Sequence, residues 1–109
     1  MVTVEQIDYA KSLARASAQK FFHERLGGVD QYACGFAWVN VYVDRTNSKQ
    51  AKELIAAGFR KDYVPKRLTM WNPSDMPVQN VDTLEAGASA MAEHLQTLGL
   101  RAYAGSRLD

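Results

Sequence analysis

The sequence predicts an α+β fold, a four-stranded antiparallel sheet with helices against it, and three observations carry that prediction. Residues Tyr32–Val43, YACGFAWVNVYV, alternate between two sides as a strand does. Three other stretches repeat apolar residues at helical spacing between capping polar residues and glycines. The remaining segments, FRKDYVPKRLTMW and LRAYA, are short, strand-like and bounded by turn formers.

Taken in order, Thr3 and Gln6 form a capping box that opens a helix carrying Ile7, Ala10, Leu13, Ala14, Ser17, Phe21 and Phe22 on one stripe, and Gly27-Gly28 ends it. A strand is expected over Gln31–Asp44. A second helix follows in RTNSKQAKELIAAGF, with Asn47 and Gln50 as its cap pair, Ala51, Leu54 and Ile55 facing inward, and Gly58 as its stop. Phe59–Tyr63 and Arg67–Trp71 read as two strands around a tight turn at Val64-Pro65-Lys66, where proline pre-sets the backbone. Pro73 and Pro77 make NPSDMPVQN a loop. Asp82 and Glu85 then open a third helix with Leu84, Ala88, Met91, Leu95 and Leu98 on its apolar stripe, closed by Gly99. LRAYA is the last strand, and residues 105–109 are expected to be a polar tail.

The order is helix, then strand–helix–strand–strand–helix–strand, the split βαβ pattern of ferredoxin-like βαββαβ domains with an extra N-terminal helix. One domain results: residues 1–28 as the helix, 31–104 as the core and 105–109 as the tail. Right-handed crossovers place both later helices on one face and bring the first and last strands side by side at the centre.

Composition narrows the function. A chain of 109 residues with 47% hydrophobic and 23% charged residues has enough apolar content for one modest core and argues against disorder. Thirteen basic and twelve acidic residues leave a net charge of +1, so no global field draws the chain to nucleic acid or membrane, and an anion site must be local. A lone cysteine, Cys34, excludes an internal disulfide and suits a reducing compartment. With no apolar run of spanning length and no signal-peptide pattern, the expected location is the cytoplasm.

The unusual feature is the second side of the first strand. Ala33, Gly35, Ala37, Val39, Val41 and Val43 suit a core, with Leu68, Met70, Leu100, Ala102 and Ala104 pointing the same way. The opposite face then collects Phe36, Trp38, Asn40, Tyr42, Arg67, Trp71, Arg101 and Tyr103. A covering element, either the first helix or a second copy of the chain, is one expectation, because exposed apolar patches of that size are rare. The other is a binding surface. Rings stack on bases, and arginine grips phosphate with paired hydrogen bonds, so Trp38, Tyr42, Arg67, Trp71, Arg101, Tyr103 and Arg107 are the candidate ligand-binding residues.

No catalytic residue, metal site or cofactor is expected. Cys34 lies within a strand with neither His23 nor His94 near it in sequence, and no phosphate-binding loop or nucleophile elbow occurs. The loop residues Asn72, Ser74, Asp75, Gln79 and Asn80 before the third helix are the remaining place for chemistry.

The motifs CGFAWV, WNP, EAGASAMAEHL and the closing SRLD resemble a group of small proteins of unknown function encoded by tailed bacteriophages and related prophages. The resemblance spans Cys34 to Asp109. It implies the cytoplasm of an infected bacterium as the setting and brings no site residues with it. The expectation is a non-enzymatic, homo-oligomeric accessory protein that binds a small phosphorylated ligand such as a nucleotide, with a counter-defence role. A module that inhibits a host protein through its apolar face is the alternative, and single-stranded nucleic-acid binding is a second.

Overall fold

A computed structural model describes residues 1–109 as three helices and one sheet: α1 (Val4–Leu26), β1 (Gly35–Tyr42), α2 (Lys49–Ala56), β2 (Arg60–Lys61), β3 (Arg67–Trp71), α3 (Val81–Thr97) and β4 (Arg101–Leu108). The sheet is antiparallel throughout, in the order β2-β3-β1-β4. The first and last strands are neighbours as expected, but β4 is an edge strand, and β1 and β3 form the centre. No helix is long and apolar enough to cross a membrane.

The alternation of β1 holds. Ala37, Val39 and Val41 are buried, and with Leu68, Met70 and Ala102 they face the helices. Ala104, expected beside them, is exposed on the edge strand β4, although Ala102 on the same strand is buried. Ile55 is also exposed, so α2 buries only Ala51 and Leu54.

α1 begins with the Thr3–Gln6 capping box and ends at Gly27, whose φ of 62° is the left-handed conformation that glycine adopts without strain. Its destination differs from the expectation of a cover for the aromatic face. It packs against α3, and at its start against α2, on the same side of the sheet as the other helices. The reason lies in its buried residues, Ile7, Ala10, Ala14 and Ala18, three of which are alanines. They meet α3 at Gly87, where a methyl group would sit 3.0 Å from the Ala14 carbonyl oxygen and 2.8 Å from Ser74 Cβ. Small residues on both helices allow that approach, whereas the rings of Phe21 and Phe22 are only partly buried.

The caps of the later helices are also corrected. Ser48, rather than Asn47, caps α2 by accepting from the Ala51 N–H at 3.1 Å. Gln50 instead holds the start of the chain, accepting from the Val2 N–H and donating to the Val2 carbonyl, both at 2.8 Å. Asn80, rather than Asp82, caps α3 by accepting from the Thr83 N–H at 2.9 Å. The second strand is shorter than Phe59–Tyr63, since Phe59 turns into the core and only Arg60 and Lys61 pair. The expected polar tail is strand: β4 pairs with β1 without interruption from Tyr42↔Arg101 to Gly35↔Leu108.

Candidate functional site on the open face of the sheet

With all three helices on one side, nothing in the chain covers the other. Strand register arranges that face in rows. Tyr42 lies between Arg101 and Arg67, Asn40 between Tyr103 and Thr69, Trp38 between Gly105 and Trp71, and Phe36 beside Arg107. Arg60 extends the second row through its pairing with Thr69. Phe36, Trp71 and Tyr103 are 40%, 55% and 53% exposed, a large apolar area for a chain of this size to leave to water.

The rings hold one another. Trp38 and Trp71 have centroids 4.9 Å apart, Phe36 meets Trp71 edge-on at 6.3 Å, and Tyr42 meets Tyr103 edge-on at 6.1 Å. The Trp38 indole lies over Gly105, where a methyl group would come within 2.5 Å of Nε1 and 2.6 Å of Cε2. The glycine therefore seats the tryptophan, and it is the reason a Gly-Ser pair sits inside a strand.

Between these rings and the β2–β3 turn lies a cleft of about 430 Å³, lined by Trp38, Asn40, Asp62, Tyr63, Arg67, Thr69, Trp71 and Arg107. That size lies within the range of about 300–1,000 Å³ typical of small-molecule sites. One wall is fixed by charge: Arg67 donates from Nε to Asp62 Oδ2, and its guanidinium lies 5.6 Å from the Tyr63 ring centroid. The bond from Arg67 holds the Asp62 carboxyl below its ordinary value, helped by the Tyr63 N–H and the Thr69 hydroxyl, while burial opposes the shift. The same bond, with a second that Arg67 donates toward the Tyr42 hydroxyl oxygen, raises Arg67. On the floor, the Thr69 hydroxyl sits 2.7 Å from Asn40 Oδ1 and 3.1 Å from Asp62 Oδ2, so one proton serves two acceptors. The other end of the Asn40 amide has no partner within the chain.

The arginines differ in their freedom. Arg67 is tied to Asp62, and Arg101 lies 3.3 Å from Asp44 in an exposed pair. Arg107 belongs to none of the chain's three ion pairs and lies 5.4 Å from the Phe36 ring centroid at the far end of the cleft.

Of the seven residues singled out from sequence, the structure brings Trp38, Arg67, Trp71 and Arg107 together around the cleft. Tyr42, Arg101 and Tyr103 share the face but lie toward its other end, outside the cleft lining. Sequence reasoning misses Asp62 and Tyr63 because it assigns them to a strand over Phe59–Tyr63, whereas they belong to the connection between β2 and β3, where strand alternation does not set their direction. Asn40 and Thr69 are a cross-strand polar pair whose signal is the register itself.

In the loop from Asn72 to Asn80, Asn72, Ser74 and Asn80 direct their polar groups inward, while the Asp75 and Gln79 side chains are exposed. Asn72 accepts from the Ser74 hydroxyl at 3.1 Å and donates to the Met76 carbonyl at 3.2 Å, while Arg15 donates to the Asp75 carbonyl at 2.8 Å. Asp30 accepts from the Gln79 and Asn80 N–H groups at 2.9 and 3.0 Å. With Asn80 serving Thr83, the Val81, Thr83 and Leu84 N–H groups that open α3 are engaged by the chain itself. Cys34 is half-buried beside a hollow of about 310 Å³ on the far side of Trp71. His94 meets Tyr9 edge-on at 5.3 Å, and no three metal-ligating side chains cluster anywhere.

Comparison with protein-family models, with curated proteins and with solved structures finds no match for this chain.

Proposed function

We propose that the open face binds a small phosphorylated aromatic ligand, a mononucleotide or dinucleotide in class, without catalysing its conversion. The cleft carries this reading, because it joins two indoles, a tyrosine, two guanidiniums and an unpartnered amide end in one hollow. A base stacks against Trp71 and Trp38, each such stack contributing about 1–3 kcal/mol. The Asn40 amide, Thr69 and Asp62 meet its polar edge. Arg107, free of any carboxylate, takes the phosphate with charge-assisted bonds. The weak net charge fits one or a few phosphates better than a polymer.

We further infer that the βαββαβ unit is a ferredoxin-like split βαβ, with β4 at the edge rather than the centre. In the phage setting that the sequence resembles, such a protein acts in the host cytoplasm by sequestering a signalling nucleotide, a counter-defence role.

The test is native mass spectrometry of the purified protein, followed by tryptophan-fluorescence titration with a panel of mononucleotides and cyclic dinucleotides. At least one is expected to quench fluorescence saturably. Trp71→Ala and Arg107→Ala each weaken that ligand about tenfold or more, since a hydrogen bond to a charged group is worth about 1.5–3 kcal/mol. Arg101→Ala, outside the cleft, leaves it within about twofold. No saturable change with any nucleotide overturns the proposal and leaves Phe36, Trp71 and Tyr103 as a surface for a protein partner.

A further inference from the structure

The two edges of the sheet are unlike. On one side β2 pairs over only two residues, both basic, a short and charged edge of the kind that resists further pairing. On the other, β4 runs eight residues, Arg101–Leu108, in unbroken register with β1 and with neither proline, lysine nor bulge. The Asp109 N–H donates to the Cys34 carbonyl at 3.1 Å, so odd positions of this segment turn their backbone groups toward β1. Ala102, Ala104, Ser106 and Leu108 therefore turn theirs outward. The Ala102 carbonyl is met there by Gln96 Nε2 at 2.7 Å, which leaves it a second lone pair.

We propose that β4 pairs antiparallel with β4 of a second copy, across a twofold axis at Gly105, to make one continuous eight-stranded sheet. Charge selects the partner and the register. A twofold axis normal to the sheet keeps both open faces on one side, so opposed residues must share parity. An axis at Ala104 sets Arg101 against Arg107 twice, a repulsive choice. An axis at Ser106 shortens the overlap to residues 103–109 and leaves Arg101 opposite nothing. The axis at Gly105 sets Arg101 against Asp109 and Tyr103 against Arg107 on the open face, each twice. On the helix side it sets Leu108, 67% exposed in the monomer, against Ala102. Hydrogen-bonded pairs form at Ala104–Ser106 and Ala102–Leu108, about eight backbone bonds in all. The strand is complementary to itself in this register, and the dimer places two aromatic faces side by side.

Sedimentation velocity and light scattering across a concentration range test this independently of any nucleotide. The unmodified chain is expected to be a dimer. Arg101→Asp opposes Asp109 with like charge and weakens the dimer at least tenfold, and the double exchange Arg101→Asp/Asp109→Arg restores it. Both side chains are at the surface, so folding is spared. Ala104→Pro removes an outward N–H that β1 does not use and yields a folded monomer by circular dichroism. A chain that stays monomeric at every concentration overturns the proposal, even if it binds a nucleotide. So does a dimer that survives Arg101→Asp, or a double exchange that fails to restore association.

Discussion

The seating of Trp38 on Gly105 gives the site its sharpest test, the substitution Gly105→Ala. The added methyl would lie 2.5, 2.6 and 2.8 Å from three indole atoms, at least 0.7 Å inside the ordinary contact distance of about 3.5–4.0 Å. β4 cannot retreat, because Gly105 is paired opposite Trp38 in the middle of an unbroken ladder. The indole must lift, which moves it against Trp71, now 4.9 Å away. Such overpacking costs about 1–3 kcal/mol, and replacing glycine in a strand returns about 0.5–1 kcal/mol. The net loss is up to about 2.5 kcal/mol, a fall of up to roughly 20 °C in Tm for a domain of this size. Thermal melts measure that loss, and far-ultraviolet circular dichroism reads the coupling between the two indoles, which should diminish. The control is the same change in a Trp38→Leu background, where the clash is gone and Gly105→Ala becomes neutral or stabilising. An equal loss of stability in both backgrounds, or an unchanged indole signal, would refute the claim that Gly105 seats the ring.

Four further substitutions probe the frame that carries the open face. Gly35→Ala brings a methyl within 2.3 Å of the Arg107 carbonyl oxygen and 2.8 Å of Val81 Cγ2, so chemical denaturation should show a loss of about 1–3 kcal/mol as β1 and β4 are forced apart. Asn80→Ala removes the α3 cap and its bond to the Gln31 carbonyl, costing about 1–2 kcal/mol, whereas Asp82→Ala stays within about 0.5 kcal/mol in the same assay. The lowered carboxyl of Asp62 contributes stability that is present above its unfolded value near 3.8 and is lost as pH falls below that toward the folded value. Stability measured from pH 7 to pH 2 should therefore fall less steeply at the acid end for Asp62→Asn than for the unmodified chain. Identical slopes would show that the Arg67 pair has no linkage to folding.

What the sequence discloses, and what it withholds, follows from the range of each interaction. The alternation of β1 is local and period two, so the sequence alone names the face bearing Phe36, Trp38, Asn40 and Tyr42. The Thr3–Gln6 box is legible for the same reason, since both partners lie within one turn. The caps of α2 and α3 are ambiguous in sequence because Asn47, Ser48, Asn80 and Asp82 are all competent, and backbone direction chooses among them. For α3 the choice is made by the Val81 N–H, which donates to the Ala33 carbonyl far away in sequence. The placement of α1 turns on its alanines, a signal that the bulkier Phe21 and Phe22 obscure. Gly105-Ser106 resembles the start of a tail because glycine weakens strands, and only the register shows an indole lying over it. The cleft joins two strands and a turn, so no single segment of sequence contains it.

The placement of the helices bears directly on the reading of the open face. A sheet with one solvated side ordinarily carries threonine, lysine and glutamate there. This chain has a third helix with which to cover that side, yet packs it behind the other two on small residues at Ala10, Ala14, Ala18 and Gly87. The exposed rings are also not loose. Trp38 is seated on Gly105 and against Trp71, Phe36 is met by Arg107, and Arg67 is pinned by Asp62. Immobilising a rotamer-rich side chain on binding costs about 0.5–1.5 kcal/mol, and here register and packing have already met much of that cost. A solvated face has no use for such order. A surface that must meet a flat, charged ligand does, because each ring held in place beforehand adds its stacking energy without a further loss of entropy.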